Sequence, residues 1–245
     1  MQTGPLLFCG DPHGQWQHIT EAALETRARA VILLGDLEPA RPLHIELEAI
    51  WDRVWFIHGN HDTDHPSHFA NVWHPEAAHR NLHARVVQLP CGTRMAGLGG
   101  VFRGAVWYPK DAQNPKFSHR EEHARVTSHP DRWQGSVPLK HWSSIYPDEV
   151  AQLAAQHADI LVTHEAPGYH PFGFTALDSL ARRMGVRMAV HGHQHDCIDS
   201  SSQWDAQGFK SYGVELRGLK VVDESAPFIP SVRPLPANAI EPNQG

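Results

Sequence analysis

Five short apolar runs, each leading into a block of Asp, Asn and His, constrain this 245-residue chain more than any other feature. Leu6-Leu7-Phe8-Cys9 leads into Gly10-Asp11-Pro12-His13-Gly14, and Val31-Ile32-Leu33-Leu34 into Gly35-Asp36. Val54-Trp55-Phe56-Ile57 precedes Gly59-Asn60-His61-Asp62. Ile160-Leu161-Val162 precedes Thr163-His164, and Met188-Ala189-Val190 precedes Gly192-His193-Gln194-His195. Apolar runs of this length bounded by turn residues read as strands buried on both faces. Strands ending at one edge of a sheet bring residues distant in sequence to one place. That place would hold oxygen and imidazole donors and no thiolate, a set suited to Mn, Fe, Zn or Co. The donors are too many for one tetrahedral ion, so two ions are the economical expectation.

The intervening segments fit an α/β alternation. Trp16 to Arg29 and Pro42 to Trp51 carry helical spacing of Ile19, Ala22, Ala23 and Leu24, and of Leu43, Leu47 and Ile50. Further helices are expected over Pro147 to His157 and Thr175 to Met184, the latter stopped by Gly185. Arg85 to Leu89 and Arg94 to Leu98 read as two strands around a Pro90-Cys91-Gly92 turn, and Gly208 to Val214 and Leu219 to Val222 as closing strands.

Residues 99–144 show no clear periodicity and carry seven Lys/Arg against four Asp/Glu. A stretch of this kind inside a compact domain is read as a lid-like insertion. A single domain over 1–225 with a Pro-rich tail over 226–245 is the expected organisation. The tail has five prolines and reads as extended or disordered.

Charge and cysteine content narrow the setting. Net charge is −6 with neutral His, which disfavours a broad nucleic-acid surface. No apolar run approaches the ~18 residues of a membrane span. Three cysteines, an odd number, and an N-terminus without a basic segment suit the cytoplasm.

The five blocks in order, D-x-H, GD, GNH[DE], H and GHxH, resemble the calcineurin-like metallophosphoesterase superfamily over roughly residues 5 to 222. With 20 histidines in the chain, chance explains one HxH but not Asp11, Asp36 and Asn60 arriving in register as well. The resemblance implies a four-layer α-β-β-α sandwich of two mixed sheets flanked by helices. It implies that Asp11, His13 and His195 hold one divalent ion, that Asn60, His164 and His193 hold a second, and that Asp36 bridges them, with Mn favoured. A hydroxide shared by the ions would attack a phosphate ester while His61 serves as the substrate-side acid. Asp62 or Asp64 would orient His61; the spacing does not choose.

Arg103, in Gly99-Gly100-Val101-Phe102-Arg103-Gly104, is a candidate phosphate contact, with a surface salt bridge as the alternative. His191 is expected beside the ligands and not among them, and Cys9 and Cys197 as small buried packing residues. His18, His44, His68, His74, His79, His83 and His157 fall outside the pattern and read mostly as surface residues.

The GDxHG opening is also similar to that of the phosphoprotein phosphatases. Here, however, Pro39 stands where that branch has a second Asp, Arg41 is displaced, and Asp62 replaces Glu. A phosphomono- or phosphodiesterase acting on a small phosphorylated substrate is therefore preferred. A protein or dinucleoside polyphosphate phosphatase and a non-catalytic scaffold remain as alternatives. A zinc peptidase is discarded, because His164-Glu165-Ala166-Pro167-Gly168 lacks the second His of HExxH.

Overall fold

A computed structural model describes residues 4–111 and 114–223; the Pro-rich tail lies outside the described residues. Among the described residues nine strands form two mixed sheets. In the first, β1 (Leu6–Cys9), β2 (Ala30–Leu34) and β3 (Val54–Ile57) run parallel, and β9 (Leu219–Val222) pairs antiparallel with β1, giving the order β3-β2-β1-β9. In the second, β4 (Arg85–Gln88) pairs antiparallel with β5 (Arg94–Leu98). Beyond it β6 (Ile160–Thr163), β7 (Met188–His191) and β8 (Lys210–Gly213) continue in parallel.

Strand alternation sorts the side chains into layers. Leu6, Phe8, Ile32, Leu34 and Ile57 from one sheet meet Met95, Ile160, Val162, Met188 and Val190 from the other in a central core. Leu7, Cys9, Val31, Leu33 and Phe56 face outward onto Ile19, Ala23, Leu43, Leu47 and Ile50. On the far side Ala96, Leu98, Leu161 and Ala189 pack on Leu153, Leu177, Leu180, Ala181 and Met184. Both faces of both sheets are therefore covered, which is why these strands read as unbroken apolar runs. The result is the expected four-layer sandwich.

The helix expected over Thr175 to Met184 keeps those bounds, while the others are shorter than their sequence patterns. Trp16 to Arg29 contains α1 (Gln17–Glu25). Pro42 to Trp51 does not form one helix. After α2 (Leu43–Glu46), Leu47 leaves helical dihedrals (φ −116°, ψ 27°) and the chain tightens into a 3₁₀ turn over Glu48–Arg53. α3 (Pro66–Val72) begins on a proline, whose missing N–H costs nothing in a first turn.

The described part of residues 99–144 is more ordered than its composition suggests. It contains α4 (Arg120–Val126) and closes on itself, with Val101 N–H donating to Ser143 O at 2.9 Å and Ile145 N–H to Val101 O at 3.1 Å. α5 (Pro147–Ala154) follows, with Glu149 accepting from the Tyr146 N–H. α6 (Thr175–Met184) ends at Gly185, left-handed at φ 68° as its position requires. α7 (Trp204–Gln207) precedes β8, which starts two residues after the expected Gly208. No helix among the described residues is long and apolar enough to cross a membrane.

Candidate metal centre

All eight motif residues lie just beyond the carboxyl ends of parallel strands. β1, β2 and β3 supply Asp11, His13, Asp36, Asn60 and His61; β6 and β7 supply His164, His193 and His195. The loops turn sharply enough that Asp11, His13, Asp36, His193 and His195 all adopt left-handed backbone, with φ between 38° and 68°. Asp and His tolerate this region better than most residues, and strain of this kind collects at functional sites. Gly59 makes the closest approach possible, because a Cβ there would run into the Asp36 backbone nitrogen and its Oδ1.

Two triples of donors share one carboxylate. Atoms of His13, Asp36 and His195 lie within 4.8 Å of one another, as do atoms of Asp36, His164 and His193. Asp36 Oδ1 accepts the His61 backbone N–H at 2.8 Å and lies 3.3 Å from His164 Nε2. Its other oxygen, Oδ2, is buried and has no hydrogen-bond partner. A buried carboxylate oxygen left without a donor is costly unless a cation meets it.

His164 makes the same case from the other side. Its Nδ1–H donates to Leu34 O at 2.7 Å, which turns Nε2 toward Asn60 Oδ1 (3.2 Å) and Asp36 Oδ1. An imidazole nitrogen and two acceptor oxygens converge there with no donor among them. A cation there, or a proton on Nε2, satisfies both oxygens. Burial lowers the His164 pKa, but Asp36 and then Asp11 outweigh it and push it up to about 10. Burial likewise raises Asp36, and the facing His164 together with the His61 N–H overcomes it, holding Asp36 well below the usual carboxylate range. Burial and the neighbouring His164 charge depress His193 to about 3, so it stands neutral with a free lone pair. Imidazoles grouped around one shared carboxylate suit divalent ions of the Mn, Fe, Zn or Co kind.

The other residues take distinct places. Asp11 is fully buried and both of its oxygens accept the His193 N–H (2.9 and 3.1 Å); Oδ1 also lies 3.8 Å from His164 Nδ1, though Asp11 is not in either triple. His13 Nδ1 meets Glu38 Oε1 at 2.9 Å, leaving Nε2 for the centre. His61 Nδ1 meets Asp64 Oδ2 at 2.6 Å, and its ring stands at the open side, 44% exposed. Asp64 is thus the residue that orients His61. Asp62 is instead wholly buried and accepts three backbone N–H groups, from Leu37 (2.8 Å), Glu38 (2.9 Å) and Gly59 (2.8 Å). It ties the Asp36 loop to the Asn60 loop. His61 opens a 3₁₀ turn in which residues three apart eclipse one another, and this spacing alone could have singled out Asp64.

His191 is buried beside the ligands. It donates Nδ1–H to Gly192 O (2.9 Å) and accepts from the Tyr169 hydroxyl (2.6 Å). Tyr169, Glu38 and Glu165 carry no motif signal, and the sequence does not reveal them. Cys9 is buried as expected; Cys197 is exposed, contrary to expectation. His58, outside every pattern, is fully buried between Trp73 and His83. Arg103 is half-buried near Asp64, Glu165 and Asp36, so the surface salt bridge considered for it is not what it makes.

A family model described as calcineurin-like phosphoesterase matches residues 4–197. An uncharacterized protein of Haemophilus influenzae is 44% identical over 191 residues, spanning 78% of this chain and 83% of that one. The crystal structure of TT1561 of Thermus thermophilus aligns with a TM-score of 0.54 at 16% identity, over 90% of this chain and 98% of that one. A second solved structure aligns at 0.52 with 9% identity, over 90% and 99%. The two structural likenesses speak for the fold alone. The family match spans most of the chain and includes all eight motif residues, so the chain belongs to the calcineurin-like phosphoesterase family.

Proposed function

We propose that this protein hydrolyses phosphate esters of small molecules at a two-ion centre bridged by Asp36. The observation that carries the reading is the Asp36 carboxylate, which is common to both donor triples and whose Oδ2 is buried without a hydrogen-bond partner. Asp36, His13 and His195 would hold one ion, with Asp11 close by; Asp36, Asn60, His164 and His193 would hold the second. Such a pair, when bound, supplies Lewis acidity and a water-derived nucleophile at neutral pH.

The chain's own groups do the rest. Leu34 O and Glu38 fix the tautomers of His164 and His13, so each ring presents its other nitrogen to the centre. Asp64 takes the His61 Nδ1–H, which leaves Nε2 facing the open side where a leaving oxygen would sit. Asp64, Asp36 and Glu38 outweigh burial and raise the His61 pKa, keeping on the ring the proton that an acid must give. Arg103, half-buried near Asp64 and Asp36, would offer its guanidinium to a phosphate oxygen.

The test is a panel of p-nitrophenyl phosphate, bis-p-nitrophenyl phosphate, cyclic nucleotides and dinucleoside polyphosphates with Mn-loaded protein. Metal-dependent turnover of at least one class, abolished in Asp36→Ala, is expected. Metal-replete protein inert toward every class would point to a binding scaffold instead.

A further inference from the structure

Arg103 is a cation in an unusual position. Its Nε is buried without a hydrogen-bond partner, and it forms no ion pair with a carboxylate among the described residues. Among the described residues its side chain makes one hydrogen bond, from Nη2 to Ser143 Oγ at 3.3 Å, across 40 residues of sequence. Ser143 is completely buried and Thr63 is 2% exposed. Their hydroxyl oxygens are 2.7 Å apart, and Thr63 Oγ1 donates to Asn60 O at 3.0 Å.

Each hydroxyl has one proton to give. With the Thr63 proton on Asn60 O, the Ser143 proton can go to Thr63 Oγ1 at 2.7 Å or to Lys140 O at 3.1 Å, and the shorter contact is to Thr63. Donation then runs one way, from Arg103 through Ser143 and Thr63 to the backbone of Asn60. The opposite side of the same loop is fixed as well. Phe102 N–H donates to Glu165 Oε1 at 3.1 Å, and Glu165 follows His164 directly. The guanidinium is therefore registered to two residues of the second donor group, while its Nε–H remains without an acceptor.

We propose that Ser143 and Thr63 are positioning residues that hold Arg103 as a fixed clamp for a phosphate oxygen, in register with the loop carrying Asn60 and His61. This deepens the phosphate-ester reading and rests on it. A half-buried cation with a free donor is a poor element of stability by itself, since desolvation outweighs what Asp64, Glu165 and Asp36 return. An anionic ligand oxygen supplies the missing partner. The plainer role for the hydroxyl pair, fastening the base of the insertion, predicts lost stability without lost anion affinity.

The experiment uses the full-length Mn-loaded protein and inorganic phosphate as probe. Binding is measured by titration calorimetry, and KM and kcat on the best ester of the panel. Arg103→Ala should weaken phosphate binding about tenfold, the size of one charge-assisted hydrogen bond. Ser143→Ala should weaken it comparably, with KM rising more than kcat falls. The double variant should bind no worse than Arg103→Ala within about twofold, because the hydroxyl acts only through the guanidinium. Thr63→Val should resemble Ser143→Ala, and Thr63→Ser, which keeps the hydroxyl, should restore binding. This last pair decides the matter if Ser143→Ala does not fold.

Losses that multiply in the double variant, or a lowered melting temperature with unchanged phosphate affinity, would overturn the clamp. So would wild-type protein that fails to bind phosphate. Protein that binds phosphate through this network yet hydrolyses nothing would uphold the clamp and sink the proposed catalysis.

Discussion

Asp62→Ala should be among the most damaging single changes in the molecule that remove no proposed ligand. The carboxylate accepts three backbone N–H groups from two loops, and Asp62 itself is 0% exposed. Leaving a buried donor unsatisfied costs roughly 1–3 kcal/mol. Part of that is recovered, because burial and the nearby Asp36 charge already push the Asp62 pKa up to about 7. A net loss of about 4 kcal/mol is expected, which for a domain of this size lowers the melting temperature by roughly 10 °C. The loops so released carry Asp36 and Asn60, so metal content should fall with stability. Calorimetry with elemental analysis measures both. Asp64→Ala is the control, since that side chain is half-exposed and bonds only His61. It should shift the melting temperature by no more than about 2 °C. An Asp62→Ala protein that melts within that margin of wild type and keeps its metal would refute the assignment.

Three further outcomes are expected. Gly59→Ala places a methyl against the Asp36 backbone and carboxylate, and should lower stability and metal content together, read by melting and elemental analysis. His61→Ala should retain its metal but lose about 10²–10⁴-fold in rate on alkyl phosphates. The loss should be smaller on p-nitrophenyl esters, whose leaving group needs little protonation; equal losses would remove His61 from the acid's role. His141, packed against His123, is depressed from 6.5 to about 4 by burial first and by His123 next. Because the unfolded chain takes up that proton first, stability should fall as pH drops from about 6.5 toward 4, and less steeply in His141→Asn. Melting temperatures across that range check it.

Legibility in the sequence follows the range of the interactions. β1, β2, β3, β6 and β7 are readable because each is buried on both faces and so forms an unbroken apolar run. The ligand blocks are readable because each is a turn of a few adjacent residues. Residues 42–51 mislead because a 3₁₀ turn keeps apolar side chains inward without keeping the 3.6-residue period. Ser143 and Thr63, 80 residues apart, have no local pattern that could reveal their contact. His58, His123 and His141 are buried by tertiary packing that no motif marks. The choice between Asp62 and Asp64 needs only the recognition of a tight turn after Asn60.

The most direct test of the account is a crystal structure of the Mn-loaded protein with anomalous differences recorded for manganese. Two peaks are predicted, one on each side of the Asp36 carboxylate, with His13 and His195 around one and Asn60, His164 and His193 around the other. A single peak, or two peaks that do not share Asp36, would contradict the bridged two-ion centre on which the proposed chemistry depends.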